Sequence, residues 1–65
     1  MEYKTVKLFW DTPFHDHEEM VSFNCLAHKD DEFIKRMFTE IWGIEYDPNV
    51  CRWEITRYYE KEVET

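Results

Sequence analysis

A single segment of this sequence, between Asp30 and Gly43, carries a complete set of helix signals. Asp30 is a residue type that favours the N-cap position, and the two residues after it are acidic, where the positive end of a helix dipole favours negative charge. Gly43, the only glycine of the chain, stands where a C-terminal cap belongs. The apolar residues at helical spacing between the two caps are Phe33, Ile34, Met37, Phe38, Ile41 and Trp42. We therefore expect one helix that packs through this stripe.

Three other segments alternate between apolar and polar residues, with the period of two that predicts strands. They are residues 3–10, 19–28 and 50–59. The order is therefore β-β-α-β, which predicts a small α+β domain: a three-stranded, mainly antiparallel sheet with one helix packed on one face. We expect residues 1–65 to form a single compact domain in which the charged tail 60–65 frays.

Composition limits the functions open to a chain of 65 residues. Its hydrophobic content of 43%, with 18% aromatic residues, is typical of a chain that folds. One glycine leaves no room for a glycine-rich phosphate loop, and the length does not accommodate both a cofactor domain and a substrate domain. No Ser-His-Asp arrangement stands out. We therefore expect a protein that is not an enzyme and that binds no cofactor.

Two cysteines and a histidine pair are the remaining candidates for chemistry. Cys25 and Cys51 fall at inward strand positions and are predicted to be small buried hydrophobes; a disulfide would require their two strands to be neighbours. Because Met1 is followed at once by charged residues rather than an apolar leader, we expect the reducing cytoplasm. His15 and His17, with Cys25 or His28, leave a metal site open as an alternative, although we expect none.

The acidic residues are unevenly distributed. Fifteen acidic against eight basic side chains give a net charge of −7, which disfavours direct binding to duplex DNA and to anionic membranes. Those that neither capping nor balancing charges explain are Asp11, Asp16, Glu18, Glu19, Glu40, Glu45 and Asp47. If the two segments that contain them are adjacent in the fold, they form one field of carboxylates that attracts a basic partner. The simpler alternative is that the charge only keeps the protein soluble.

In size and acidity the chain resembles the small anti-restriction and anti-CRISPR proteins of bacteriophages, a resemblance that includes no sequence motif. It implies an inhibitor that acts as a DNA mimic. Its carboxylates would replace phosphates on a basic, nucleic-acid-binding surface of a partner protein, in the host cytoplasm if a phage encodes it.

The face of the sheet without a helix suggests a different use. The residues predicted to form an interface there are Tyr3, Phe9, Arg52 and Tyr58. Tyrosine and arginine are enriched among residues that dominate binding energies. On this alternative the protein is a homodimer or an adaptor, and its acidity is only solubilising.

Overall fold

A computed structural model of the chain describes residues 1–13 and 18–61. Its elements are β1 (Glu2–Asp11), β2 (Glu18–Leu26), α1 (Asp31–Trp42) and β3 (Cys51–Glu60). The strands form one antiparallel sheet in the order β2-β1-β3. The predicted fold class, a small α+β domain with three antiparallel strands and one helix, is confirmed.

Both ends of α1 follow the sequence signals. The Asp30 carboxylate accepts a hydrogen bond from the backbone N–H of Phe33 at 3.0 Å, as an N-cap does. At the other end Gly43 adopts the left-handed conformation, with φ of 69°, and its N–H donates to the carbonyl of Thr39 at 2.8 Å. A residue with a Cβ is strained at this φ, so the only glycine of the chain stands where the helix needs it.

The core lies between α1 and the sheet face that α1 covers, which we call the covered face. Its fully buried side chains are Val6, Leu8, Ile34 and Phe38. Cys25 and Cys51 are buried beside them as free thiols, as predicted. They occupy the two outer strands, with β1 between them, and are paired with opposite ends of β1. A disulfide between them is therefore geometrically excluded.

A β-bulge in β3 changes which side chains reach the other face, which we call the uncovered face. The register shifts between Thr5 and Val6, so that Thr56 has no partner on β1. Beyond the bulge, Tyr58 lies opposite Lys4, on the helix side of the sheet, and Tyr59 takes the uncovered face. The prediction that Tyr58 lies on the uncovered face is wrong, because the strict alternation that we assumed for residues 50–59 is interrupted by one residue.

The two ends of the described chain lie side by side. β3 continues to Glu60, which lies opposite Glu2, and the N–H of Lys61 donates to the carbonyl of Met1 at 3.0 Å. Residues 60 and 61 are therefore paired with the first two residues of the chain, and the fraying of the tail 60–65 stays a prediction. The rest of the predicted tail, residues 62–65, lies outside the described residues.

Candidate functional site

The two acidic segments of the sequence meet at one end of the sheet. Asp11, the last residue of β1, lies opposite Glu18, the first residue of β2. The N–H of Asp11 donates to the carbonyl of Val50 at 2.8 Å, which brings the turn that contains Asp47 to the same place. A shallow cleft of about 220 Å³ runs between these segments. The connection between α1 and β3 therefore lies beside the end of the sheet at which β1 ends and β2 begins, and acidic residues of both segments are found there.

The C-terminus of α1 adds negative charge at this end. Trp42 in the last turn packs on Trp10 near the end of β1, with ring centroids 5.6 Å apart. The last turn of the helix contains no basic residue, and Glu40 lies there, exposed. The helix C-terminus carries the negative end of the helix dipole. The sequence analysis did not identify this contribution, although the absence of a basic residue from the last turn of α1 indicates it.

We call this region the acidic end. Its described carboxylates belong to the paired strand ends (Asp11, Glu18 and Glu19), to the last turn of α1 (Glu40) and to the connection that runs from α1 back to Val50 (Glu45 and Asp47). The remaining predicted residue, Asp16, lies outside the described residues.

Two residues of the acidic end already form interactions within the fold. The Asp47 carboxylate accepts from the N–H of Asn49 at 2.9 Å, and its carbonyl accepts from two further backbone N–H groups, so this residue builds the turn before β3. Glu18 lies 3.4 Å from the Arg52 guanidinium, an exposed pair that contributes little stability. Asp11, Glu40 and Glu45 are exposed and are the strongest candidates for contact with a partner.

Aromatic rings on the uncovered face are partly covered by arginine side chains. The Arg52 guanidinium lies 3.8 Å from the centre of the Phe9 ring, which is only 8% exposed although no helix covers it. Tyr3 and Tyr59 stack at 5.7 Å, and Arg57 lies over Tyr59 at 4.5 Å. Three of the four residues predicted for this interface therefore share the face. Tyr59 takes the place that we had assigned to Tyr58.

The buried thiol and the histidines offer little for chemistry in the described part of the chain. Burial raises the pKa of the Cys25 thiol, an effect that the nearby positive charges of Lys4 and Lys29 only partly offset. The protonated thiol is neither the nucleophile nor the metal ligand form of cysteine. Within residues 1–13 and 18–61, no three His, Cys, Asp or Glu side chains are grouped to hold a metal ion. His15 and His17, on which the metal alternative depends, lie outside these residues.

Comparisons with models of protein families, with curated proteins and with solved structures found no match to this chain. Among the described residues, no helix has the length and apolar character needed to cross a bilayer.

Proposed function

We propose that this protein is a non-enzymatic binding module whose acidic end docks onto a basic surface of a partner protein. The partner's surface is one that normally binds nucleic acid, and the carboxylates occupy positions that phosphates otherwise take. The protein then acts as a competitive inhibitor of the anti-restriction or anti-CRISPR type, in the cytoplasm of the host.

The observation that carries this proposal is the hydrogen bond between Asp11 and Val50, which joins two acidic segments that are far apart in the sequence. A contiguous field of one sign attracts a partner of the opposite sign from a distance and orients it on approach. Scattered charge would serve solubility equally well. The carboxylates of both segments lie beside the negative terminus of α1, and this arrangement supports docking there, although Arg52 pairs with Glu18 and offsets part of the charge.

Two variants of equal net charge separate docking from solubility. Glu40→Lys with Glu45→Lys removes charge at the acidic end, and Glu2→Lys with Glu60→Lys makes the same change at the opposite end of the sheet. Each pair takes the net charge from −7 to −3. The partner is first captured from the native host or from infected cells, at about 50 mM and about 500 mM salt, because screening weakens exposed charge contacts.

We expect the acidic-end variant to bind the captured partner at least about tenfold more weakly and with a shallower salt dependence. The control variant should bind within about threefold of the original protein, since its charges lie away from the contact. Nucleic acid that the partner normally binds should compete with this protein. Equal weakening by both variants would show that only net charge matters, and simultaneous binding with nucleic acid would disprove the mimicry.

A second candidate uses the uncovered face, and the stacking of Arg57 and Tyr59 favours it. Arginine and tyrosine together are typical of residues that dominate interfaces. Tyr58 and Tyr59 provide a matched pair, because they are neighbours in the sequence on opposite sides of the sheet. If this face binds a partner, Tyr59→Ala weakens binding and Tyr58→Ala does not. Equal effects of the two changes would exclude it.

A further inference from the structure

The two edges of the sheet differ in how well they are protected against pairing with another strand. β3 carries four charged residues and a bulge, both of which discourage strand addition. β2 pairs with β1 without a register shift, and its two charged residues, Glu18 and Glu19, stand at its start, so that residues 20–28 contain no Asp, Glu, Lys or Arg. The chain is 35% charged overall, so this uncharged run along the edge is unusual within it.

The backbone direction of β2 follows from one hydrogen bond. The N–H of Ala27 donates to the carbonyl of Glu2 at 3.0 Å, so the odd-numbered residues of β2 direct their backbone groups to β1. The even-numbered residues direct theirs to the outer edge. These are Glu18, Met20, Ser22, Asn24 and Leu26. The carbonyl of Leu26 already accepts from the N–H of Lys29 at 3.1 Å, so a second strand would share this acceptor. Within the described residues no strand pairs with that edge.

We propose that β2 pairs antiparallel with β2 of a second copy, across a two-fold axis at Phe23, to form a six-stranded sheet. In this register Met20 lies opposite Leu26 of the second copy and Ser22 lies opposite Asn24. Apolar side chains therefore meet apolar ones and polar side chains meet polar ones. All four residues are even-numbered, so their outward backbone groups are in phase for hydrogen bonding.

Charge complementarity at the two ends of the shared ladder favours a second copy as the occupant of this edge. Two molecules of charge −7 repel each other across most of their surfaces, and the uncharged edge is where that repulsion is least. The proposed register also brings Glu18 and Glu19 of one copy to the end of the other copy's strand, where His28 and Lys29 follow. Antiparallel pairing thus places acidic residues beside a basic one at both ends of the shared ladder.

Amide hydrogen exchange tests the pairing directly. The N–H groups of Met20, Ser22 and Asn24 point outward, so they should exchange at least about tenfold more slowly at about 1 mM than at about 10 µM protein, as the dimer forms. The amides of Val21 and Phe23 point to β1 and should change little. Sedimentation equilibrium over the same range should give a monomer–dimer equilibrium. A strict monomer, or a dimer in which the outward amides exchange as fast as they do in the monomer, would overturn the proposal and exclude a second copy from this edge.

Three variants locate the contact. Ser22→Lys places a like charge from each copy near the two-fold axis and should weaken the dimer at least about tenfold. Thr56→Lys makes a similar change on β3, and Tyr59→Ala alters the uncovered face; both should leave dimerisation within about threefold of the original. A dimer that Thr56→Lys or Tyr59→Ala disrupts as strongly would contradict pairing through β2. These measurements involve no partner protein, so their outcome is independent of the function proposed for the acidic end.

Discussion

The two faces of the sheet bury aromatic rings by different means. On the covered face, Phe38 of α1 is fully buried between the helix and the sheet, among side chains from both. On the uncovered face, Phe9 is nearly as inaccessible, at 8% exposure, but a guanidinium rather than a helix lies on its ring. The comparison shows that low exposure alone does not define a core. What covers a ring decides how much its removal costs, and substitutions on both faces test this.

The largest effect is expected on the covered face. Phe38→Ala should lower the free energy of unfolding by about 3–5 kcal/mol, because it leaves a cavity that the surrounding side chains cannot fill. Such a loss is a large part of the stability of so small a domain. Urea denaturation followed by tryptophan fluorescence measures it. Trp53→Ala is a useful companion, and because Trp53 is only partly buried we expect it to lose less. Thermal unfolding of Phe38→Ala at the temperature of the original protein would show that the assigned core is wrong.

A smaller effect is expected for the ring on the uncovered face. Phe9→Ala should cost about 1–3 kcal/mol, because Arg52 and its neighbours can move inward and no rigid layer preserves a cavity. Phe9→Leu, which keeps most of the apolar area, serves as the control and should cost clearly less. The same urea titration applies. If Phe9→Ala were as damaging as Phe38→Ala, the distinction between the two faces would fail.

The stability of the covered face also depends on the caps at the two ends of α1, because this face packs against the helix. The uncovered face has no such contribution. Gly43→Ala should cost about 1 kcal/mol, because alanine is strained at the φ of 69° that the cap adopts. A Cβ there would meet no atom within 4 Å, so the loss is conformational rather than steric. Asn tolerates the left-handed region better, so Gly43→Asn should lose less. The two variants are compared by thermal unfolding, and an equal loss in both would point to a cause other than φ.

The smallest effect concerns the guanidinium itself. Arg52→Lys keeps the charge but removes the planar group that stacks on Phe9, and it should cost about 0.5 kcal/mol, since the site is solvent-exposed. A double-mutant cycle with Phe9→Ala isolates the contact, and we expect a coupling of about 0.5–1 kcal/mol. A coupling of zero would mean that Arg52 merely lies over the ring without stabilising it.

The parts of the fold that depend on neighbours in the sequence were predictable. Asp30 and Gly43 cap α1 as their chemistry indicates, since capping involves residues only a few positions apart. The inward positions of Cys25 and Cys51 follow from the alternation on either side of them. The bulge at Thr56 was not predictable, because no glycine or proline marks it and it exists only in relation to β1.

The candidate binding surfaces were likewise predictable only in part. The local excess of acidic over basic residues identified the two acidic segments. It did not show that the segments are adjacent, or that the Asp47 carboxylate forms part of a turn. The exchange of Tyr58 for Tyr59 on the uncovered face likewise followed from the bulge, which lies two residues before Tyr58.

The sequence by itself determined the elements of this protein, the ends of its helix and its fold class, because hydrophobic period and capping chemistry act over a few residues. Only the tertiary structure decided that β1 lies at the centre, that the thiols are kept apart and that the acids of two distant segments meet. Strand order and register depend on contacts between residues far apart in the chain, and a local pattern carries no information about which distant strand will be its neighbour.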